Sequence, residues 1–128
     1  TQVNARFVED LLDAAAKLKV AVGPDVCDLG TGTALIPIEL CRAHSNCRVM
    51  AVDASVAMLE LARYRVEVSG YRDRIQLHHG QVGKLGFERH FFDCVISNSI
   101  VHHLEEPEQY FRACHHLTKP GGFIFARD

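Results

Sequence analysis

Long apolar runs are missing from this chain of 128 residues, and no stretch approaches the roughly 20 residues that a helix needs to cross a bilayer. The first residues, TQVNARFVED, include neither an initiator methionine nor the apolar stretch of a signal peptide, which suggests an excerpt or a processed product. Blocks of like charge are also missing, and the net charge of −2 argues against a protein that grips a phosphate backbone. We therefore expect one domain that binds neither membranes nor nucleic acids.

Paired cysteine motifs are a further absence. The sequence has five cysteines, an odd number: Cys27, Cys41, Cys47, Cys94 and Cys114. No CxxC pair occurs, and Cys27 and Cys94 lie in apolar strand patterns where a free cysteine packs as a small hydrophobe. This usage favours a reducing, cytoplasmic setting. Because no cluster of cysteine and histidine has the spacing of metal ligands, we predict no metal site.

Strand and helix patterns alternate along nearly the whole chain. Apolar residues at steps of three and four predict helices, and short apolar runs predict strands that are buried on both faces. The predicted order is helix 4–18, strand 25–30, helix 34–44, strand 47–53, helix 56–68, strand 74–80, strand 91–98, helix 105–117, turn 118–122 and strand 123–128. This order predicts an α/β fold, a doubly wound, Rossmann-like parallel sheet with helices on both faces.

Several residues are assigned to helix ends and helix faces. Asn4 is the candidate N-cap of the first helix, and Ser55 and Gly70 begin and end the helix 56–68. Pro107 suits the first turn of the last helix, where a missing amide costs least. The buried side of that helix is predicted to consist of Tyr110, Phe111, Cys114 and Leu117.

A glycine turn between the first strand and the next helix, VCDLGTGTALIPIEL, marks the candidate ligand site. Ligands bind such a sheet at the carboxyl ends of its strands, where Gly30, Asp53, Gly80 and Asn98 fall. Only two glycines of a dinucleotide-binding GxGxxG are present, because Leu35 holds the third position. The Gly-Lys-Ser/Thr of a phosphate-binding P-loop is missing as well. A nicotinamide oxidoreductase is therefore disfavoured, and a cofactor with an amino-acid tail or a turn without a ligand is left open.

Four stretches together resemble the class I S-adenosylmethionine-dependent methyltransferases. They are CDLGTGTALIPIELC, VMAVDAS, HHGQVGKLGF and FDCVISNSIVHHLEEPEQYFRACHHLTKPGGFIFARD, in the family's order from about residue 25 onward. HHLEEPEQYFRACHHLTKPGG is typical of members that act on small molecules. The resemblance implies the strand order 3-2-1-4-5 and methyl transfer from S-adenosyl-L-methionine to a small-molecule acceptor. The alternative is a cofactor-binding or partner-binding module that keeps the fold without turnover.

The resemblance also implies which residues hold the methionine and ribose parts of the cofactor. Asp28 would orient the amino-acid end, and Gly30 and Gly32 would let the ligand approach the backbone. The amides from Thr31 to Thr33 would meet the ligand's carboxylate at the helix N-terminus. Asp53, an acid at the end of the second strand, would accept both ribose hydroxyl hydrogens.

On the adenine side, the resemblance implies that Ala54 and Met58 lie against the ring. Gln81 occupies a position where the family often has Asp, and its neutral carbonyl would accept a hydrogen bond from the adenine amine. Val82 would contribute its backbone amide to the ring.

The end of the fourth strand, SNSIVHH, differs from the Asn/Asp-Pro-Pro-aromatic run of base-modifying members, so a nucleobase amine is a poor candidate for the acceptor. Ser97 and Asn98 would place backbone carbonyls near the methionine ammonium. His102 or His103 could serve as a general base or could pack or cap a helix. The acceptor, its reacting atom and the base are not identified by these motifs.

The chain ends on FIFARD, whereas the family's sheet continues into an antiparallel pair of strands. An apolar fifth strand at an open edge is an aggregation liability. We therefore expect residues 1–128 to be a single cofactor-binding domain truncated at its C-terminal end, or one whose fifth strand a partner covers, with an incomplete acceptor pocket.

Overall fold

The computed structural model describes residues 2–98 and 106–127. Its helices are α1 (Gln2–Leu18), α2 (Leu35–Ala43), α3 (Val56–Ser69), the short 3-10 helix Val82–Lys84 and α4 (Pro107–Leu117). Its strands are β1 (Asp25–Leu29), β2 (Arg48–Asp53), β3 (Ile75–His79), β4 (Phe92–Asn98) and β5 (Thr118–Arg127). All four strand pairs are parallel and the order is β3-β2-β1-β4-β5. The predicted fold class and strand order are confirmed.

One face of the sheet is covered by α1, α2 and α3. Phe7 and Leu11 of α1 and Leu40 of α2 pack against Val26 and Ile96 of the central strands, and all five side chains are fully buried. Since β1 and β4 are in the middle of the sheet, their apolar residues alternate between the two faces. The same strands therefore supply both hydrophobic cores.

The other face is covered by α4 and the 3-10 helix. Tyr110, Cys114 and Leu117 follow one another at helical spacing and pack, fully buried, on Leu29 and Val95. Phe111 was predicted on this side, and that prediction is wrong: the residue is 50% exposed, and its ring makes a T-shaped contact with the Tyr110 ring. Because the buried stripe of α4 is narrow, the residue after Tyr110 already falls outside it.

Three of the four residues that were predicted at helix ends have the predicted role. Ser55 accepts a hydrogen bond from the Met58 amide at 3.2 Å, Gly70 ends α3 with a φ of 86°, and Pro107 is the first residue of α4. The prediction that Asn4 caps α1 is wrong. The helix already begins at Gln2, so Asn4 lies inside its first turn.

The predicted turn 118–122 is part of β5 instead of a separate connection. Phe92 pairs with Thr118, but the next pair is Cys94 with Phe123, so β5 bulges outward between them. Gly121 takes a φ of 79° in this bulge, a conformation that suits glycine. The glycines of this segment therefore do mark an irregular backbone, but the irregularity is a bulge inside β5 and not a turn before it.

All five cysteines are free and buried, and Cys27 and Cys94 pack inside strands as predicted. Burial raises the pKa of the Cys27 thiol well above its ordinary value. In residues 2–98 and 106–127, no helix combines the length and the apolar character that a membrane span requires. The same residues contain no group of three His, Cys, Asp or Glu side chains placed to hold a metal ion.

Arg74 fixes the connection between α2 and β2. Its guanidinium donates to the carbonyl oxygens of Cys41 and Cys47, each at 3.0 Å, and of His44 at 2.6 Å. It also lies over the Tyr71 ring, 5.5 Å from the centroid. Two of these carbonyls belong to the C-terminal end of α2, which needs such donors. One side chain thus caps a helix and anchors the following loop.

We expect Arg74→Lys to lower the free energy of unfolding by about 1.5–3 kcal/mol, because an ammonium cannot reproduce the planar set of donors. Urea denaturation measures the change at constant m value. Arg72→Lys is the matched control, since the exposed Arg72 guanidinium forms a surface ion pair with Glu67 at 3.2 Å. Equal midpoints for the two variants would contradict the assigned role of Arg74.

Candidate functional site

The carboxyl ends of β1, β2 and β3 meet at one edge of the sheet. Leu29 is in register with Val52, and Asp53 with His79. After β1 the chain turns through Gly30 with a φ of 74° and Gly32 with a φ of 60°. These left-handed conformations favour glycine, although Ala34 at the end of the loop 30–34 also adopts one, with a φ of 67°. We call this segment the glycine loop.

The Asp53 carboxylate joins the glycine loop to the start of α3. Its Oδ2 accepts from the Gly32 amide at 2.8 Å, and its Oδ1 accepts from the Ser55 amide at 2.9 Å. Ser55 caps α3 with its own hydroxyl, as predicted. Asp53 nevertheless accepts two hydrogen bonds from backbone amides of the protein. Each carboxylate oxygen has a second lone-pair site, so Asp53 can still accept hydrogen bonds from a diol.

Two of the three amides expected to meet the ligand's carboxylate are already used inside the protein. The Thr31 amide donates to the Val52 carbonyl at 2.8 Å, and the Gly32 amide donates to Asp53. The predicted contact of these two amides with the ligand's carboxylate stays a prediction, and it would require each amide to share its hydrogen with the partner that it already has. Helix α2 begins only at Leu35, so Thr31 and Gly32 form a turn that precedes the helix.

The outer side of the glycine loop is open. A Cβ atom added at Gly32 would have no heavy atom of a described residue within 4 Å, apart from atoms of Gly32 itself and of its two chain neighbours. Nothing among the described residues therefore covers the backbone at this point, and a ligand can approach it to van der Waals distance. This supports the predicted reason for the glycine.

Asp28 is a buried carboxyl group near the end of β1, two residues before the glycine loop begins, with 2% of its surface exposed. Burial raises its pKa to about 7, Asp53 adds to the rise, and the neighbouring Thr31 hydroxyl opposes it. Thr31 Oγ1 is itself buried and lacks a well-formed hydrogen bond to any described residue. Buried polar atoms are normally paired, so Thr31 Oγ1 has unused capacity for a hydrogen bond with a polar ligand.

The predicted adenine side lies at the ends of β2 and β3. Ala54, Met58 and Gln81 are exposed, and Val82 is half-buried at the start of the 3-10 helix. His79 was not predicted here, although its Nε2 lies 3.0 Å from the Ala54 carbonyl oxygen. The parallel pairing of strands 2 and 3 was the signal that could have located it.

At the end of β4, Ser97 is fully buried, and its hydroxyl shares a hydrogen bond with the Tyr110 hydroxyl. This bond ties α4 to β4 and engages the Ser97 side chain; the predicted role of its backbone carbonyl stays a prediction. Asn98 is the last residue of β4, in register with Arg127. His102 and His103 lie outside the described residues.

A protein family described as "Methyltransferase domain" matches residues 27–126. The ubiquinone biosynthesis O-methyltransferase of Roseobacter denitrificans is 31% identical over 122 residues, covering 95% of this chain and 46% of that protein. The erythromycin 3''-O-methyltransferase of Saccharopolyspora erythraea is 26% identical over 127 residues, covering 99% of this chain and 40% of that protein. This chain thus spans less than half the length of these relatives.

A crystal structure of an S-adenosylmethionine-dependent methyltransferase from Clostridium acetobutylicum has the same fold, with a TM-score of 0.79 at 23% identity over 93% of this chain and 48% of that one. The family match includes the glycine loop and both strand-end carboxylates. The chain belongs to the methyltransferase domain family, and S-adenosyl-L-methionine is the cofactor that this membership implies.

Proposed function

We propose that the protein of which this chain is part transfers a methyl group from S-adenosyl-L-methionine to a small-molecule acceptor. The observation that carries the proposal is the placement of two carboxyl groups, Asp28 and Asp53, next to a glycine loop whose outer side is open at Gly32. One carboxylate suits an ammonium and the other suits a ribose diol.

The amino-acid end of the cofactor fits the buried pair of Asp28 and Thr31. An ammonium next to Asp28 would favour its ionised form and offset the cost of burying the charge. Thr31 Oγ1 would gain the hydrogen-bond partner that it lacks among the described residues. Carbonyls at Ser97 and Asn98 would complete this end of the site.

The nucleoside end fits the exposed edge next to Asp53. The carboxylate would accept from the ribose hydroxyls through the lone pairs that Gly32 and Ser55 leave over. Ala54 and Met58 would lie along the adenine. Gln81 and Val82 would meet its polar edge, with the Gln81 carbonyl replacing the carboxylate that the family often has there.

S-adenosyl-L-methionine supplies a methyl group that its sulfonium already activates. The protein's task is then chiefly to align the acceptor with that carbon and to exclude competing water. The Ser97 hydroxyl is engaged by Tyr110 and is no candidate for a base. A hydroxyl acceptor is the first class to assay, since two relatives are named O-methyltransferases.

The same site argues against a nicotinamide cofactor. A pyrophosphate over the glycine loop would lie near both Asp28 and Asp53, and like charges repel. Leu35 also replaces the third glycine of the dinucleotide motif.

A module that binds the cofactor without turnover is the second candidate, and the neutral Gln81 is the observation that favours it. The five buried, free cysteines support a cytoplasmic location.

Calorimetry should detect binding of S-adenosylmethionine and S-adenosylhomocysteine, with NAD binding more weakly or not at all. Transfer of a radiolabelled methyl group to a panel of small hydroxyl compounds then tests turnover. Tighter binding of NAD would refute the proposal. Cofactor binding without transfer by the whole protein to any acceptor would favour the non-catalytic module.

Asp53→Asn should weaken binding of S-adenosylhomocysteine by about 1.5–3 kcal/mol, or roughly tenfold to a hundredfold. The amide keeps one acceptor but turns N–H groups toward the Gly32 amide or the Ser55 amide, so one of these bonds is lost. Asp13→Asn is the control, since Asp13 is exposed on α1. Equal dissociation constants for the wild type and Asp53→Asn would return Asp53 to a purely structural role.

Asp28→Asn should raise the free energy of unfolding of the cofactor-free protein at pH 8 by about 2–4 kcal/mol and should weaken cofactor binding. The folded-state pKa of about 7 lies above the ordinary value of 3.8, so the folded state retains the proton longer than the unfolded state does. The free energy of unfolding therefore falls as the pH rises from about 4 to 7 and then levels off. The free energy of unfolding of Asp28→Asn does not fall in this way, because the amide does not ionise.

Urea unfolding at pH 5 and pH 8, with and without S-adenosylhomocysteine, measures both effects. Wild-type affinity for S-adenosylhomocysteine should decline as the pH falls through about 7, because protonated Asp28 cannot pair with the ammonium. The affinity of Asp28→Asn should stay flat over this range. A variant that is no more stable at pH 8 would show that burial does not penalise the Asp28 charge.

A further inference from the structure

We propose that His79 is a positioning residue for cofactor recognition, acting through Asp53. The inference rests on the proposed function, because Asp53 matters here as the acceptor for the ribose. His79 is the last residue of β3 and is in register with Asp53, the last residue of β2. Its exposed imidazole places Nε2 3.0 Å from the Ala54 carbonyl oxygen.

The direction of this hydrogen bond follows from the chemistry of its partners. A carbonyl oxygen only accepts, so His79 Nε2 must carry the hydrogen and donate it to Ala54. The next residue, Gly80, donates its amide to the Asp53 carbonyl at 3.1 Å. Two consecutive residues, His79 and Gly80, therefore hold the two consecutive carbonyls of Asp53 and Ala54 at the end of β2.

The Ala54 carbonyl and the Ser55 amide belong to the same planar peptide group. Fixing the oxygen of a planar peptide also fixes the direction of its N–H. The Ser55 N–H is the donor that holds Asp53 Oδ1 at 2.9 Å. His79 thus orients the peptide that orients the carboxylate, without approaching the carboxylate itself.

The other carboxylate oxygen is held from the opposite side by Gly32 at 2.8 Å. The carboxylate plane is therefore defined by two donors, one from the glycine loop and one from the peptide that His79 holds. Losing the His79 bond would release only the second donor. The carboxylate would remain attached to the glycine loop but would rotate more freely, and this weakens its hold on two hydroxyl groups together.

His79→Ala should weaken S-adenosylhomocysteine binding about three- to tenfold, the usual range for a single hydrogen bond. His79→Gln should restore most of the affinity, since its amide nitrogen is the same number of bonds from Cα and can donate. His115→Ala, an exposed histidine of α4, is the matched control and should bind like the wild type. Calorimetry measures all four proteins.

A double-mutant cycle tests whether His79 acts through Asp53. In an Asp53→Asn background, His79→Ala should have less than about a twofold effect, because the carboxylate that it positions is gone. A full effect in that background would overturn the proposal. Glutamine as weak as alanine, or an alanine variant as tight as the wild type, would overturn it as well.

Measurements on the cofactor-free protein separate this inference from the proposed function. Hydrogen exchange at the Ser55 amide, followed by NMR, should be faster in His79→Ala than in His115→Ala, while thermal unfolding is the same. Unchanged exchange at Ser55, or a general loss of stability, would overturn the positioning role. Failure of the wild type to bind either cofactor form would refute only the proposed function.

Discussion

The carboxylate of Asp53 is the point on which the ligand edge of this domain depends. One oxygen holds the glycine loop after β1 and the other holds the peptide that starts α3, so two connections share one side chain. The parallel register of β2 and β3 brings His79 and Gly80 to the same place. The loops above three strands therefore behave as one hydrogen-bonded unit, and a ligand that contacts any of them meets a surface shaped by all three.

The two carboxyl groups of the site differ because their surroundings differ. Asp53 is half-exposed and satisfied by two amides, whereas Asp28 is buried, with its pKa raised to about 7 and only an imperfect donor in Thr31. A buried charge without a partner opposes folding, and sequences keep such groups where function needs them. These surroundings agree with the proposal that Asp28 meets a cation and that Asp53 meets a neutral polar group.

Much of the fold could be predicted from the sequence, because alternating strand and helix patterns leave few arrangements of a parallel sheet. The positions of the glycine loop and of Asp53 could also be predicted, because the loop follows an apolar strand and Asp53 is the last residue of another. The structure was needed where a residue's role depends on geometry across strands. Neither the bonds that engage the Thr31 and Gly32 amides nor the His79 contact leaves a periodic signal. Phe111 shows why a helix face is hard to predict from the sequence: Tyr110 and Phe111 are both aromatic, but only Tyr110 is buried.

The internal bonds of the glycine loop have a consequence for association. Thr31 and Gly32 are tied to Val52 and Asp53 before any ligand arrives, so the loop does not have to be ordered during binding. Ordering a flexible segment usually subtracts from affinity and slows productive encounters. A preorganised loop removes that penalty, so the proposed cofactor would meet a backbone that is already ordered. Affinity can then be tuned through the rate of departure, by residues at the rim, without disturbing the backbone beneath.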